Sequence, residues 1–301
     1  HTLAWLYRLW RTKDQWIAHK NGNGDRFYRR FTGTQRVMHV IMILSFFILA
    51  LTGMALKFSY MGWAVVLSHV LGGFDTMGIL HRIGAVVLLG LFVYHLRQTW
   101  IAVRHSKKGL FGFIFDRNSL MFNFNDIRQV LESIKWFFGR GPRPHYGRYT
   151  YWEKFDYFAV FWGVFVIGST GLMLWFPELF TIIFPGWAIN VATIIHSDEA
   201  LLAVAFIFTI HFFNTHFRPD KFPMDPVIFT GRVGVEELKH DKPAEYEEFI
   251  GQATPEELEE RIVGPADPRL ARAAKIFGFT ALTIGLTVIG LIVYSMLFGY
   301  R

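Results

Sequence analysis

The chain has twelve histidines and no cysteine. Disulfides, thiolate metal sites, iron–sulfur clusters and covalently attached c-type haem are therefore excluded. Redox or metal chemistry must come from imidazoles, carboxylates or a bound cofactor. Five histidines carry a pattern: His81 and His95 are fourteen residues apart, and His196 and His211 fifteen. At the rotation of a straight helix the members of each pair fall within about 40° and 60° of one face, separated by about 21–22.5 Å of rise. Each pair thus offers one ligand near each end of a long helix. His39 is level with His95 and His211, whereas His81 and His196 share the other level, at the start of their helices.

A neutral imidazole is a good axial ligand for haem iron, and two facing imidazoles make a six-coordinate centre that exchanges electrons. Two such centres stacked through a membrane would form an electron path. A single histidine in a membrane span ordinarily serves as a polar contact between helices. Five at two matched depths point instead to ligation. A bare ion is less suited, because neighbours of ligand type are few: His216, five residues after His211, and Asp198 and Glu199, two and three after His196. The outer pair is His81 with His196. The inner level offers His39, His95, His211 and His216. Repeat symmetry favours His95 with His211, since Tyr157 stands in the third span where His39 stands in the first. Two b haems are expected, with a third, on His39 and His216, as the alternative. His1, His19, His69, His105, His145 and His240 fall in loops or tails and read as ordinary polar residues.

The elements that must hold these residues are legible in the composition. The chain is 301 residues long, 52% hydrophobic and only 18% charged, and its charges are gathered between long uncharged runs, which excludes an ordinary soluble enzyme. Five runs, about 37–58, 81–103, 157–177, 191–216 and 273–298, meet the roughly 20-residue requirement for crossing a bilayer. Met61–Leu71 is apolar but short and reads as an interfacial helix, and 126–138 reads as a surface-lying amphipathic helix. The expected fold is all-α and integral to the membrane: a four-helix haem-binding bundle of two repeated hairpins, plus a fifth transmembrane helix. Its segments are a basic N-terminal stretch (1–36), a core (37–216) with a cytoplasmic loop (104–156), an acidic loop (217–272) and the fifth helix (273–301).

Lysine and arginine number eight in 1–36, one in 57–80, ten in 102–156, none in 177–195 and eight in 217–272. The positive-inside rule then places the N-terminus and the second and fourth loops in the cytoplasm and the C-terminus outside. The net charge of +7 is accounted for by topology and anionic lipid, so nucleic acid is not an expected partner. No cleavable signal is expected ahead of the first span, and the start at His1 reads as a chain missing its beginning. From Glu236 to Glu260 acidic residues are dense, with Pro243 and Pro255 placed to start short helices. This segment reads as solvated helices or as a docking surface for a partner subunit.

The repeat shows in Leu51-Thr52-Gly53-Met54 near the end of the first span and Ser169-Thr170-Gly171-Leu172 near the end of the third. Thr-Gly lets helices approach closely, which is compatible with a planar ligand lying against the glycine. At these residues the chain resembles the membrane cytochrome b subunits of formate dehydrogenases and nickel–iron hydrogenases, grouped with other bacterial di-haem cytochromes b. The resemblance covers about 37–216. It rests on Arg36-Val37-Met38-His39 leading into Leu51-Thr52-Gly53, on His81-Arg82-Ile83-Gly84, on Thr170-Gly171-Leu172-Met173-Leu174-Trp175-Phe176, and on His196 with His211. It implies two b haems, quinone binding near the cytoplasmic one, and His39 with His211 as the inner pair. His95 departs from that pattern and is similar to the paired-histidine helices of cytochrome b in bc complexes. Residues 217–301 have no counterpart in a four-helix member.

The resulting expectation is a subunit of the bacterial inner membrane that passes electrons between the quinone or menaquinone pool and a partner. The partner carries iron–sulfur clusters or multihaem c-type cytochrome, which this cysteine-free chain cannot hold. Asn214, His216 and Arg218 are candidates to hydrogen-bond quinone near the inner level. Arg97 is another, or else snorkels to headgroups. Asp198 and Glu199 could accept quinol protons, cap the helix or face water. A secondary transporter is the alternative of another class, disfavoured by spans that no Pro breaks at mid-depth. A structural membrane anchor is the third reading.

Overall fold

The computed structural model describes residues 1–19 and 25–299, with their side chains except those of 13–19. The parts of the N-terminal stretch at 20–24, the side chain of His19 and the end of the fifth span at 300–301 lie outside the described residues. In chain order the elements are α1 (Thr2–His19), β1 (Phe27–Arg29), α2 (Gly33–Lys57), α3 (Gly62–Val70), α4 (Phe74–His105), α5 (Gly109–Ile114), α6 (Phe124–Phe137), α7 (Tyr151–Trp175), α8 (Pro177–Phe180) and α9 (Trp187–Phe206). Two π-helical turns, Ile207–His211 and Phe213–Phe217, prolong α9. Then come α10 (Val227–Thr230), β2 (Arg232–Gly234), α11 (Val235–Asp241), α12 (Pro243–Tyr246), a π turn (Glu247–Gly251), α13 (Pro255–Arg261), β3 (Ile262–Val263) and α14 (Pro268–Phe298).

Helices make up 75% of the structure. Among the described residues five of them, α2, α4, α7, α9 with its π turns, and α14, are long and apolar enough to cross a membrane. Only 6% of the most apolar stretch of α7 and 28% of that of α14 is buried within the chain, so their apolar side chains need hydrocarbon around them. The chain is a helical, multi-pass membrane protein. Local chemistry sets several helix starts. Thr32 and Gln35 exchange side-chain bonds with each other's backbone N–H ahead of α2. Asn123/Asp126 and Thr254/Glu257 form complete capping boxes at α6 and α13.

The structure divides into two compact units. One comprises Met38–Ile101, Phe158–His211 and Ala281–Arg301. In it, Phe47 stacks on Phe208 at 5.0 Å, and Phe92 meets Phe161 edge-on at 5.2 Å. A Cβ on Gly84 would stand 3.1 Å from Ile48, and one on Gly168 3.1 Å from Leu89, so α4 approaches both α2 and α7 closely. The short helix expected at 61–71 is α3. Its Trp63 Nε1 donates to Ser295 Oγ at 2.8 Å, tying α3 to α14.

The other unit comprises His1–Val37, Ala102–Tyr157 and Phe212–Thr280. It contains a three-stranded antiparallel sheet, order β2-β1-β3, with Tyr28 facing Val233 and Ile262. Three strands of two or three residues leave almost no period-two signal, and the sequence reading did not foresee them. Tyr28, Val227, Val233, Val235, Leu238 and Ile250 form the core beneath the sheet.

Most carboxylates of the acidic segment face solvent, but Asp241 and Glu245 are buried inside this unit. Glu245, fully buried, pairs with Arg30 at 3.3 Å and Arg148 at 3.2 Å. Asp241 pairs with Arg143 at 3.2 Å and Lys221 at 3.0 Å, and Lys221 also pairs with Glu237. Glu247 meets His145, and Glu248 accepts from Asn118. Pro243 and Pro255 do start helices, as their position predicts. Glu245, between them, neutralises two of the chain's own arginines, because the segment folds back onto 26–36 and 143–154.

Removing the charge of Glu245 leaves two guanidiniums facing a neutral group. Glu245→Gln should cost about 3–5 kcal/mol of the stability of this unit, read as a fall in thermal midpoint in detergent, whereas exposed Glu256→Gln should change it by no more than about 0.5 kcal/mol. Burial pushes the Asp241 carboxyl up, but Lys221, the bond from His240, Arg143 and Arg218 outweigh it and hold it well below 3.8. Its contribution is complete above pH 3.8 and is lost as pH falls through the lower folded value. Burial draws the Lys242 ammonium down to about 8 against the pull of Glu153, so stability rises as pH climbs from about 8 toward 10.5. Thermal melts across pH should show both limbs. Asp241→Asn should flatten the acid limb and Lys242→Met the alkaline one.

Candidate functional site

His81 lies on α4 and His196 on α9. Their ring centroids are 6.2 Å apart with planes at 72°. Each ring is fixed from behind in the same way. Thr52 Oγ1 donates to the Ile48 carbonyl at 2.6 Å and therefore accepts from His81 Nδ1 at 2.9 Å. His196 Nδ1 donates to the Ile167 carbonyl at 3.0 Å and lies 3.3 Å from Thr170 Oγ1, which itself donates to Val166. With the proton on Nδ1 in both rings, each Nε2 presents a lone pair, the state a metal requires of imidazole.

The glycine after each threonine makes room for the ring. A Cβ on Gly53 would stand 3.2 Å from His81 Cε1, and one on Gly171 3.0 Å from His196 Cε1. The repeated Thr-Gly is thus a histidine cradle: the hydroxyl takes a place beside Nδ1 and the missing side chain admits the imidazole. What lies against each glycine is the ring of the histidine. The sequence shows only that Thr-Gly recurs 118 residues on, with a histidine following each; which side chain fills the notch is seen in the structure alone.

The helices begin earlier than their hydropathy suggests. α4 starts at Phe74 and α9 at Trp187, so His81 and His196 are about two turns inside their helices rather than at their starts. Asp198 and Glu199 consequently cannot cap α9. Asp198 is paired with Lys57 at 2.9 Å, and Lys57 also donates to Ser197. An ion pair thus ties the end of α2 to the residues just after His196.

At the other level, His39 on α2, His95 on α4 and His211 in the first π turn are all half-buried. The π turn alters the expected facing of His211. A π-helix turns about 18° less per residue, or about 90° over five residues. This moves His211 from about 60° on one side of His196 to about 30° on the other, nearly the offset of His95 from His81. His216 is set differently: the Asp225 N–H donates to its Nδ1 at 3.3 Å. That acceptor role places its proton on Nε2, the reverse of the tautomer in the cradles.

Of the other polar candidates, Arg218 is buried. It bonds Asp220 at 2.6 Å and is clamped over the faces of Trp5 and Trp152 at 5.2 and 5.1 Å. Asn214 is 4% exposed, and its Oδ1 has no hydrogen-bond partner. Arg97 is exposed on α4. Among the described residues no group of three or more His, Asp or Glu is arranged to hold a bare metal ion.

No protein-family model matches the chain, and no curated protein matches it.

Because the glycines leave no space beyond the rings, Gly53→Val and Gly171→Val should each push an imidazole out of its cradle at a cost of about 1–3 kcal/mol. Thermal melts read the cost. Nitrogen-15 histidine spectra should show the Nδ1–H signature lost at the adjacent ring and kept at the other.

Proposed function

We propose that the protein is a di-haem cytochrome b, an electron-transfer subunit carrying electrons between a quinone or menaquinone pool and a redox partner. The single observation that carries the reading is the facing pair His81 and His196. Two imidazoles joined through Nε2 to one metal, with bonds of about 2 Å, stand with ring centres about 6 Å apart, and the rings here are 6.2 Å apart. Both offer the correct tautomer, and both are backed by a glycine notch that a Cβ would fill. These residues fit a b haem. Bound there, it would supply reversible one-electron transfer.

In this reading α2, α4, α7 and α9 form a four-helix bundle of two related hairpins. Contacts of α2 with α4, α4 with α7, α7 with α9 and α9 with α2 support it. His81 and His196 hold the outer centre. His211 supplies one inner ligand and His95 or His39 the other, and the corrected facing of His211 favours His95. The tautomer of His216 argues against a third centre on it. Asn214, with its buried carbonyl oxygen, is the best placed of the polar candidates to accept a hydrogen bond from a quinol hydroxyl. The partner supplies the iron–sulfur or c-type haem chemistry that a chain without cysteine cannot. The loop charges put the N-terminus in the cytoplasm and the C-terminus outside a bacterial inner membrane.

The protein purified from a haem-sufficient host should be coloured, with a reducible b-type absorption band and two haems per chain. A colourless protein is what the transporter and anchor readings require and would overturn the proposal. His81→Ala and His196→Ala should each remove one haem and spare the other. Of His39→Ala and His95→Ala, the one that removes the second haem identifies the inner ligand.

A further inference from the structure

The unit built around the small sheet presents an apolar surface that electron transfer does not use. In α6, Asp126, Ser133, Trp136 and Phe137 face inward, while Phe124, Ile127, Leu131, Ile134 and Phe138 are exposed, Phe124 to 90%. α1 repeats the arrangement: Trp5 is fully buried, while Leu3, Leu6, Tyr7 and Trp10, at spacings of three and four, point out. The two helices pack together. Trp5 meets Trp136 at 5.1 Å, and Tyr7 meets Phe138 at 5.7 Å. The second contact joins the two exposed stripes into one face.

The charges around this face have one dominant sign. Arg128 and Lys135 lie about 60–80° from the centre of the α6 stripe at the ordinary helical rotation, and both are exposed. Arg11 flanks the α1 stripe, its guanidinium reaching the Tyr7 hydroxyl at 3.4 Å. Among the described side chains Glu132 is the acidic residue beside them, and it is paired with Arg128 at 3.2 Å. Asp126 is turned inward onto Lys154 at 2.9 Å. Long basic side chains at the rim of an apolar stripe with Trp and Tyr within it suit the headgroup region of an anionic bilayer. A partner protein would find few fixed hydrogen-bonding groups here.

We propose that α1 and α6 together form an interfacial platform that lies on an anionic lipid leaflet. The proposal is independent of haem. Lipid covers the apolar face, and the arginine and lysine rim meets phosphate.

The absence of cysteine in the sequence makes the test direct. Single cysteines are introduced as Leu3→Cys, Leu131→Cys and, as an exposed control, Glu256→Cys in the full chain. Each is labelled with an environment-sensitive fluorophore and placed in nanodiscs of mixed phosphatidylcholine and phosphatidylglycerol. Quenching by spin-labelled lipid should be at least about twofold greater at positions 3 and 131 than at 256, and quenching by aqueous iodide should show the reverse order. Iodide quenching at 3 and 131 equal to that at 256 would mean a solvated face and would overturn the proposal. Shielding from both quenchers would mean a protein cover, a second copy or a partner, and would overturn it equally. In phosphatidylcholine alone the lipid quenching should fall. Unchanged quenching there would overturn the anionic part.

Discussion

An imidazole offers its Nε2 lone pair outward only while its proton is held at Nδ1. In this protein that proton is held by the backs of two helices. The acceptor beside His81 is a threonine hydroxyl already committed to its own helix, and the acceptor beside His196 is a backbone carbonyl with a second threonine alongside. Neither arrangement forms unless the ring comes within van der Waals reach of the neighbouring helix, and only glycine permits that approach. Tautomer, ring orientation and helix spacing are therefore one constraint. The nearness of the two imidazoles follows from it, since each is pressed against its own cradle with its free nitrogen directed away.

A second constraint is electrostatic and belongs to the other unit. Its basic residues would repel one another if gathered in one small body without counter-charges. The acidic segment supplies the counter-charges: Glu245 between Arg30 and Arg148, and Asp241 between Arg143 and Lys221. Buried pairs of this kind contribute little net stability compared with apolar packing, yet losing one partner is expensive. They fix which segments pair. The sheet strands are too short to specify a register by hydrophobic pattern, and this charge matching supplies part of what the strands lack.

Much of the architecture was readable from residues. All five spans, the short α3 and the amphipathic α6 follow from apolar run length and spacing, and Pro243 and Pro255 marked their helix starts. What was missed has physical causes. Hydropathy locates the apolar middle of a helix rather than its ends, so the first turns of α4 and α9 were lost, and with them the true depth of His81 and His196. Three short strands carry no period. The π turns have no residue signature, since Ile207–His211 reads like any apolar helix. α1 was legible, because Leu3, Leu6, Tyr7 and Trp10 have helical spacing, but the count of basic residues around it drew the reading toward charge. At the site, the pairing of His81 with His196 was accessible from depth. The role of Thr-Gly as a seat for a ring was not, because sequence shows which residues recur but not which side chain turns toward them.

The widened turn at Ile207–His211 compensates for a difference in length. The second hairpin carries one residue more between its histidines than the first, fifteen against fourteen, and in a regular helix that surplus would swing the distal ring through a quarter of a revolution. A single π turn swallows it. The distal imidazole of α9 thus keeps nearly the offset from His196 that His95 has from His81, and the extra residue survives as a local bulge.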